Sequence, residues 1–240
     1  MIKAILFDLD GTLLNIDMNY FLPKYFKKMA IMANEYGFEN SETLAEKVFQ
    51  STAVMIGNKD PKLTNEEVFM KDFLNRWPYS ENEIRKFFNY FYEKGFPQLK
   101  DYCQPIPGMR DMMAKIFEKG YIVVIATNSV FPMSAIKNRI EWAGLDGFDY
   151  SLITSYELMH FCKPHIEYYQ EITDKIQVDP KDCIMIGNDR GEDIVSGKMG
   201  MTTFLVENML IDKGDVDYIP DYRGMVEDLY KFIDDLKSIK

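Results

Sequence analysis

The stretch Met1-Ile2-Lys3-Ala4-Ile5-Leu6-Phe7-Asp8-Leu9-Asp10-Gly11-Thr12 decides how the rest of the chain is read. Apart from Lys3, Ile2–Phe7 is a continuous apolar run, the pattern of a strand buried on both faces of a parallel sheet. It ends in two carboxylates and a glycine turn, which packing alone does not call for. Residues two apart on a strand point to the same side, so Asp8 and Asp10 are expected to sit together. That places them at the carboxyl end of a strand, where open α/β sheets build their sites. Two carboxylates ~4 Å apart at an effective dielectric near 20 repel by about 4 kcal/mol. Something cationic must hold both of them ionised.

From about Asp17 to Leu99 the texture turns helical, with apolar residues three and four apart and no buried-strand run. Thr64-x-x-Glu67 and Ser80-x-x-Glu83 read as capping boxes, and Gly37, Pro61 and Pro78 as breaks between helices. Tyr20, Phe21, Tyr25 and Phe26 recur at helical spacing and read as packing within this segment, with Tyr20 or Phe21 the candidates to face a crevice. The methionines there read as adaptable packing. After Pro105-Ile106-Pro107-Gly108 strand and helix alternate. Strands are expected at Tyr121–Ala126, Ser151–Thr154, Cys183–Gly187 and Thr202–Val206. Helices are expected at Met109–Lys119, Met133–Ala143, Ile166–Gln177, Gly191–Met199 and Gly224–Lys237, the last with a solvated acidic face. The expectation is an α/β fold: a doubly wound parallel sheet that includes the first strand, with a smaller all-helical cap domain. Residues 1–14 and 103–240 would form the core and residues 15–102 the cap.

Three further polar segments follow predicted strands. They are Thr127-Asn128-Ser129, Lys163-Pro164, and Gly187-Asn188-Asp189-Arg190-Gly191-Glu192-Asp193. With Asp8 and Asp10 they assemble carboxylates, a hydroxyl, an ammonium and turn backbone around one crevice. Oxygen donors of this kind suit a hard cation, and Mg²⁺ usually keeps waters and shares its shell with substrate phosphate. Taken singly, each segment has a plainer reading. Thr127-Asn128 is a helix N-cap, Lys163 a solvated loop lysine, and Asp193 a partner for a helix N-terminus. Cys162 and His165 have a C-x-x-H spacing but no second pair, so zinc is not expected.

The net charge of −10 argues against a nucleic-acid or anionic-membrane partner. No apolar stretch approaches the ~20 residues of a membrane span. Cys103, Cys162 and Cys183 are scattered and odd in number, so reduced thiols and a cytoplasmic setting are expected. No signal peptide is expected, since Met1-Ile2-Lys3 runs straight into the first strand. No obligate protein partner is inferred.

Taken together, the four segments resemble the haloacid dehalogenase superfamily, in its phosphatase branch with a helical cap after the first motif. The likeness covers roughly two thirds of the chain. Asp8-Leu9-Asp10-Gly11-Thr12 is similar to the first motif, Thr127-Asn128 to the second, Lys163-Pro164 to the third, and Asp189 with Asp193 to the fourth. The family often has glycine directly before the first aspartate of the fourth motif; here Asn188 intervenes after Gly187, while the Asp-x-x-x-Asp spacing is kept.

The resemblance implies a Mg²⁺-dependent phosphomonoester hydrolase that acts on a small phosphorylated metabolite through an aspartyl phosphate. Asp8 would be the nucleophile, and Asp10 the general acid and then the base. Thr127 and the amide of Asn128 would hold phosphate oxygens, and Lys163 would neutralise nucleophile and phosphate. Asp8, the backbone carbonyl of Asp10, and Asp189 would bind Mg²⁺. Asp193 would support the metal's water shell or orient Lys163. Four carboxylates against one lysine would leave the site about three charges negative, so a phosphate dianion needs a divalent cation to enter. A phosphomutase of the same superfamily and a phospho-accepting signalling module are the alternatives. A dehalogenase needs no second aspartate as acid, so Asp10 speaks against it.

Overall fold

The computed structural model describes residues 1–214 and 216–240. The apolar run after Lys3 forms strand β1 (Ala4–Phe7), in which every residue is buried. β1 is the centre of a six-stranded, all-parallel sheet. The other strands are β4 (Ile122–Ile125), β5 (Leu152–Ile153), β6 (Cys183–Gly187), β7 (Thr202–Val206) and β8 (Tyr222–Gly224), in the order β5-β4-β1-β6-β7-β8. Strand alternation splits the side chains between two cores. Ile5, Phe7, Val123, Ile125, Ile184 and Ile186 pack to one face. Ala4, Leu6, Val124, Ala126, Cys183 and Met185 pack to the other. Apolar residues on both faces are what helices on both sides require.

The first face is covered by α5 (Met109–Glu118), α6 (Met133–Trp142) and α8 (Val226–Asp235). The second is covered by α7 (Ile166–Ile176) and a 3₁₀ turn at Ile194–Met199. The expected helices at 109–119, 133–143 and 166–177 thus form to within a residue. The expected α-helix over 191–199 does not. Asp193 commits its carboxylate to Lys163 and to the Asp189 amide, Ser196 Oγ donates to the Asp193 carbonyl, and the chain from Ile194 winds as one tight 3₁₀ segment. β8 was not expected: Tyr222 and Arg223 are exposed, so this edge strand has no buried run to announce it.

The helical segment leaves and returns through an antiparallel ribbon, β2 (Leu14–Asn15) with β3 (Gln104–Pro105). Between them lie α1 (Met18–Glu35), α2 (Leu44–Gly57), α3 (Asn65–Phe73) and α4 (Glu81–Tyr90). Both expected capping boxes are present, at Thr64–Glu67 and Ser80–Glu83. Past α4 the chain runs on as a π turn and a 3₁₀ turn to Tyr102. Aromatic rings tie the segment to the sheet layer: Phe96 stacks on Trp142 with centroids 5.2 Å apart, and Tyr25 meets Phe131 edge-on at 5.7 Å. Phe21 lies in this packing, fully buried. No helix among the described residues is long and apolar enough to cross a membrane. Cys103, Cys162 and Cys183 are free thiols.

The start of α3 is docked on the loops that follow β4 and β5. The Asn65 and Glu66 amides donate to the carbonyls of Met159 and Tyr156, both at 2.8 Å. The fully buried Asn65 side chain donates to Ser129 Oγ at 2.9 Å and to the Phe161 carbonyl at 3.1 Å. Asn65→Ala should therefore lower stability by about 1–3 kcal/mol, read as a drop in the urea midpoint at unchanged slope. An unchanged midpoint would show that the side-chain bonds add nothing to the docking.

Candidate active site

At the carboxyl edge of the sheet the Asp8 amide still donates to the Ile186 carbonyl at 2.8 Å, one rung beyond β1. The chain then turns at Gly11, whose φ of +81° favours glycine. A Cβ there would also lie 2.4 Å from Asn188 Nδ2. The strand ends at Phe7, and Asp8 and Asp10 sit together beyond it, close enough that the Asp8 charge acts on Asp10. Both border the same crevice, but each carboxylate is bound by its own cation.

Asp8 is met by Lys163, which sits at the end of the loop after β5, before a cis Lys163–Pro164 peptide. Lys163 is 1 % exposed, and its Nζ donates to Asp8 Oδ1 at 2.8 Å and to Asp193 Oδ1 at 2.6 Å. Burial opposes its charge, but Asp193 and Asp8 outweigh burial and hold the ammonium well above its ordinary range. Asp193 is equally buried and accepts the Asp189 amide at 2.9 Å through its other oxygen. Its carboxylate occupies the space a side chain at 187 would need, since a Cβ on Gly187 would come within 2.0 Å of it. The glycine that ends β6 is thus the seat of the lysine's second carboxylate.

Asp10 is met by Arg139, a fully buried residue of α6 that the sequence did not single out. The Arg139 guanidinium also lies 4.5 Å from the ring centroid of Phe131. Asp10 Oδ1 and Arg139 Nη2 are both buried without a hydrogen-bond partner among the described residues. Burial raises the Asp10 carboxyl above its ordinary range, against the pull of Arg139.

The remaining sequence-derived residues border the same crevice. The Thr127 carbonyl accepts Thr154 Oγ1 and Tyr168 Oη, both at 2.7 Å, which fixes the turn after β4. Asn128 accepts the Lys163 amide at 3.2 Å and donates to Glu192 at 3.0 Å. Glu192 was also not singled out; burial pushes its carboxyl up to about 6. Asp189 Oδ1 accepts the Gly191 and Glu192 amides at 2.8 and 2.9 Å. Asn188, in the position the family often gives to glycine, is buried: it accepts Thr12 Oγ1 at 3.1 Å and donates to the Met209 carbonyl at 2.6 Å. It clamps the first turn to the loop after β7. Cys162 is buried beside Ser129, while His165 Nε2 faces the Ile56 carbonyl, so the C-x-x-H pair does not converge on a shared ligand.

Six carboxylates border the crevice, those of Asp8, Asp10, Asp17, Asp189, Glu192 and Asp193. Against them stand the buried Lys163 and Arg139, and Lys213 at the rim. The expected balance of four carboxylates against one lysine is corrected on both sides, and the excess of negative charge remains. No three His, Cys, Asp or Glu side chains among the described residues form a ready-made metal cluster. The donor set still fits a cation that takes two carboxylates, a backbone carbonyl and waters, as Mg²⁺ does.

Solved structures of other proteins share this architecture. A HAD phosphatase from Thermococcus onnurineus shares the fold with a TM-score of 0.57 and 18 % identity, covering 97 % of this chain and 98 % of that one. A predicted phosphoglycolate phosphatase from Haemophilus somnus 129PT gives 0.57 at 18 % identity, over 96 % and 97 %. L-2-haloacid dehalogenase from Xanthobacter autotrophicus gives 0.55 at 14 %, over 98 % and 100 %. At such identities the likeness is one of fold. No curated protein matches by sequence. The model of the haloacid dehalogenase-like hydrolase family matches residues 2–199, and the chain belongs to that family of hydrolases.

Proposed function

We propose that this hydrolase is a Mg²⁺-dependent phosphomonoesterase whose nucleophile is Asp8. One observation carries the reading. Next to a nucleophile neutralised by a buried lysine stands a second carboxyl, Asp10, that burial biases toward keeping a proton. Hydrolysis of an alkyl halide needs the first and has no use for the second. A phosphate ester needs both, because its leaving alkoxide must be protonated.

In the first step an Asp8 oxygen attacks phosphorus and the bond from phosphorus to the ester oxygen breaks. Asp10 gives its proton to that oxygen, and an alcohol leaves. In the second step a water attacks the phosphoaspartate, Asp10 takes the water's proton, and the bond from phosphorus to Asp8 breaks to release phosphate. Lys163 holds Asp8 in place and offsets charge on the transferring group, and Asp193 keeps Lys163 aimed. Thr127 and the Asn128 amide would bind phosphoryl oxygens. A bound Mg²⁺, held by Asp8, the Asp10 carbonyl and Asp189, would supply positive charge for the incoming phosphate. Arg139 keeps Asp10 in register and limits how far burial can raise its carboxyl.

Two outcomes are expected. Excess EDTA should abolish phosphate release from an aryl phosphate, and Mg²⁺ should restore it; full activity in EDTA would remove the metal from the account. Removing Asp10 should strand the buried Arg139 charge, so Asp10→Asn should cost roughly 3 kcal/mol, the low end for a buried pair because Asp10 borders the crevice. Arg139→Met leaves a buried carboxyl that can take up a proton, so it should cost less. The double variant should cost clearly less than the sum, as read by urea unfolding. Additive costs would show that the two residues are not coupled.

A further inference from the structure

Resting on the phosphomonoesterase reading, we infer that the substrate is the phosphate ester of an apolar, uncharged alcohol about the size of one aromatic ring. Beside the carboxylate crevice lies a second, partly open cavity of about 160 Å³, lined by residues of the helical segment and of the loops after β4 and β5. The two share the residues Met18, Leu22, Phe49, Val130 and Phe131, so the cavity directly adjoins the space where a phosphate's leaving group would lie. Its interior is set by Tyr25 and Phe26 of α1, Val48 of α2, Phe69 of α3 and Phe88 of α4. No charged residue lines it. Three phenols line it; Tyr25 and Tyr92 hydrogen-bond each other at 2.8 Å, and burial raises these two hydroxyls and that of Tyr156, so all three stay neutral. Thr52 Oγ1 already donates to the Val48 carbonyl at 2.8 Å.

A cavity near 150 Å³ with aliphatic and aromatic walls stays dry and accepts benzene. The same walls reject other candidates. A carboxylate on the leaving group would enter a space whose lining carries no charge and whose nearest cation, Arg139, lies behind Phe131 and is already paired with Asp10, beside a crevice already rich in carboxylates. Sugar hydroxyls would lose water and find few partners. Phe49 is independent support: it stands on the shared rim and is 65 % exposed, a large ring that the described residues leave uncovered. An apolar leaving group passing the rim would cover it.

The test compares kcat/KM, with Mg²⁺, for 2-phenylethyl phosphate, glucose 6-phosphate, 2-phosphoglycolate and acetyl phosphate. The phenylethyl ester should exceed the sugar and the acid by tenfold or more, the scale on which an apolar pocket discriminates. Val48→Phe fills the cavity and should cut the ratio of phenylethyl to acetyl phosphate at least tenfold. Phe49→Ala, at an exposed position where folding is not at stake, should lower the same ratio. Equal rates across the panel, or a preference untouched by both variants, would overturn the inference while leaving the phosphomonoesterase reading in place. If no ester is hydrolysed, that reading fails, and binding of 2-phenylethanol alone, followed by saturation-transfer NMR, decides the cavity's role. Binding by the wild type that Val48→Phe abolishes supports an apolar chamber, and no binding by the wild type removes it.

Discussion

Everything at this site depends on one buried ammonium. Lys163 has given up water almost completely, and only the paired carboxylates of Asp8 and Asp193 make that tolerable. The requirement reaches well beyond the three residues. Asp193 needs the empty volume over Gly187, so β6 must end in glycine. Lys163 needs its loop held, which Asn128 does through the Lys163 amide. Tyr168 and Tyr169 of α7, both fully buried, brace the floor by donating to the carbonyls of Thr127 and Glu192. The core on that face of the sheet is thereby also the support of the site.

The second cation serves the opposite layer. Arg139 comes from the helix layer that is continuous with the inserted helices, and its guanidinium faces the Phe131 ring. Asp8 and Asp10, two residues apart in the chain, are thus bound by different cations, one from the loop after β5 and one from α6. Such a division separates their chemistry. Asp8 is held by a fixed ammonium, whereas Asp10 keeps one unsatisfied oxygen in a place where burial raises its carboxyl. In the proposed mechanism these different surroundings suit the two carboxyls to opposite roles.

Much of this was legible in the chain. β1, β4, β6 and β7 are apolar runs because a parallel sheet buries both faces, and three of the four polar segments stand where such a run stops, Lys163-Pro164 following the short β5 at a distance. The residues of the four motifs do meet at one crevice. β2, β3 and β8 were not legible: two or three residues long and largely exposed, they are strands only because their partners lie beside them. Arg139 was missed because its partner lies 129 positions away. A signal existed, for Ala135, Ile136 and Ile140 form the apolar stripe of α6 and an arginine sits within it. The aromatic spacing of α1 was legible as packing, since Phe21 and Tyr25 are buried, while the lesser option of Tyr20 or Phe21 facing the crevice is not met, for a reason of phase. α1 turns Met18 and Leu22 to the crevice, sends Phe21 into the core and leaves Tyr20 half exposed beside Tyr102.

The central claim is that phosphate passes through Asp8. Rapid acid quench during turnover of a labelled monoester, followed by peptide mapping, tests it most directly. The account predicts a single acid-stable, base-labile phosphoryl group on the peptide that contains Asp8, and none in Asp8→Asn. A phosphoryl group on another residue, or turnover retained in Asp8→Asn, would contradict it.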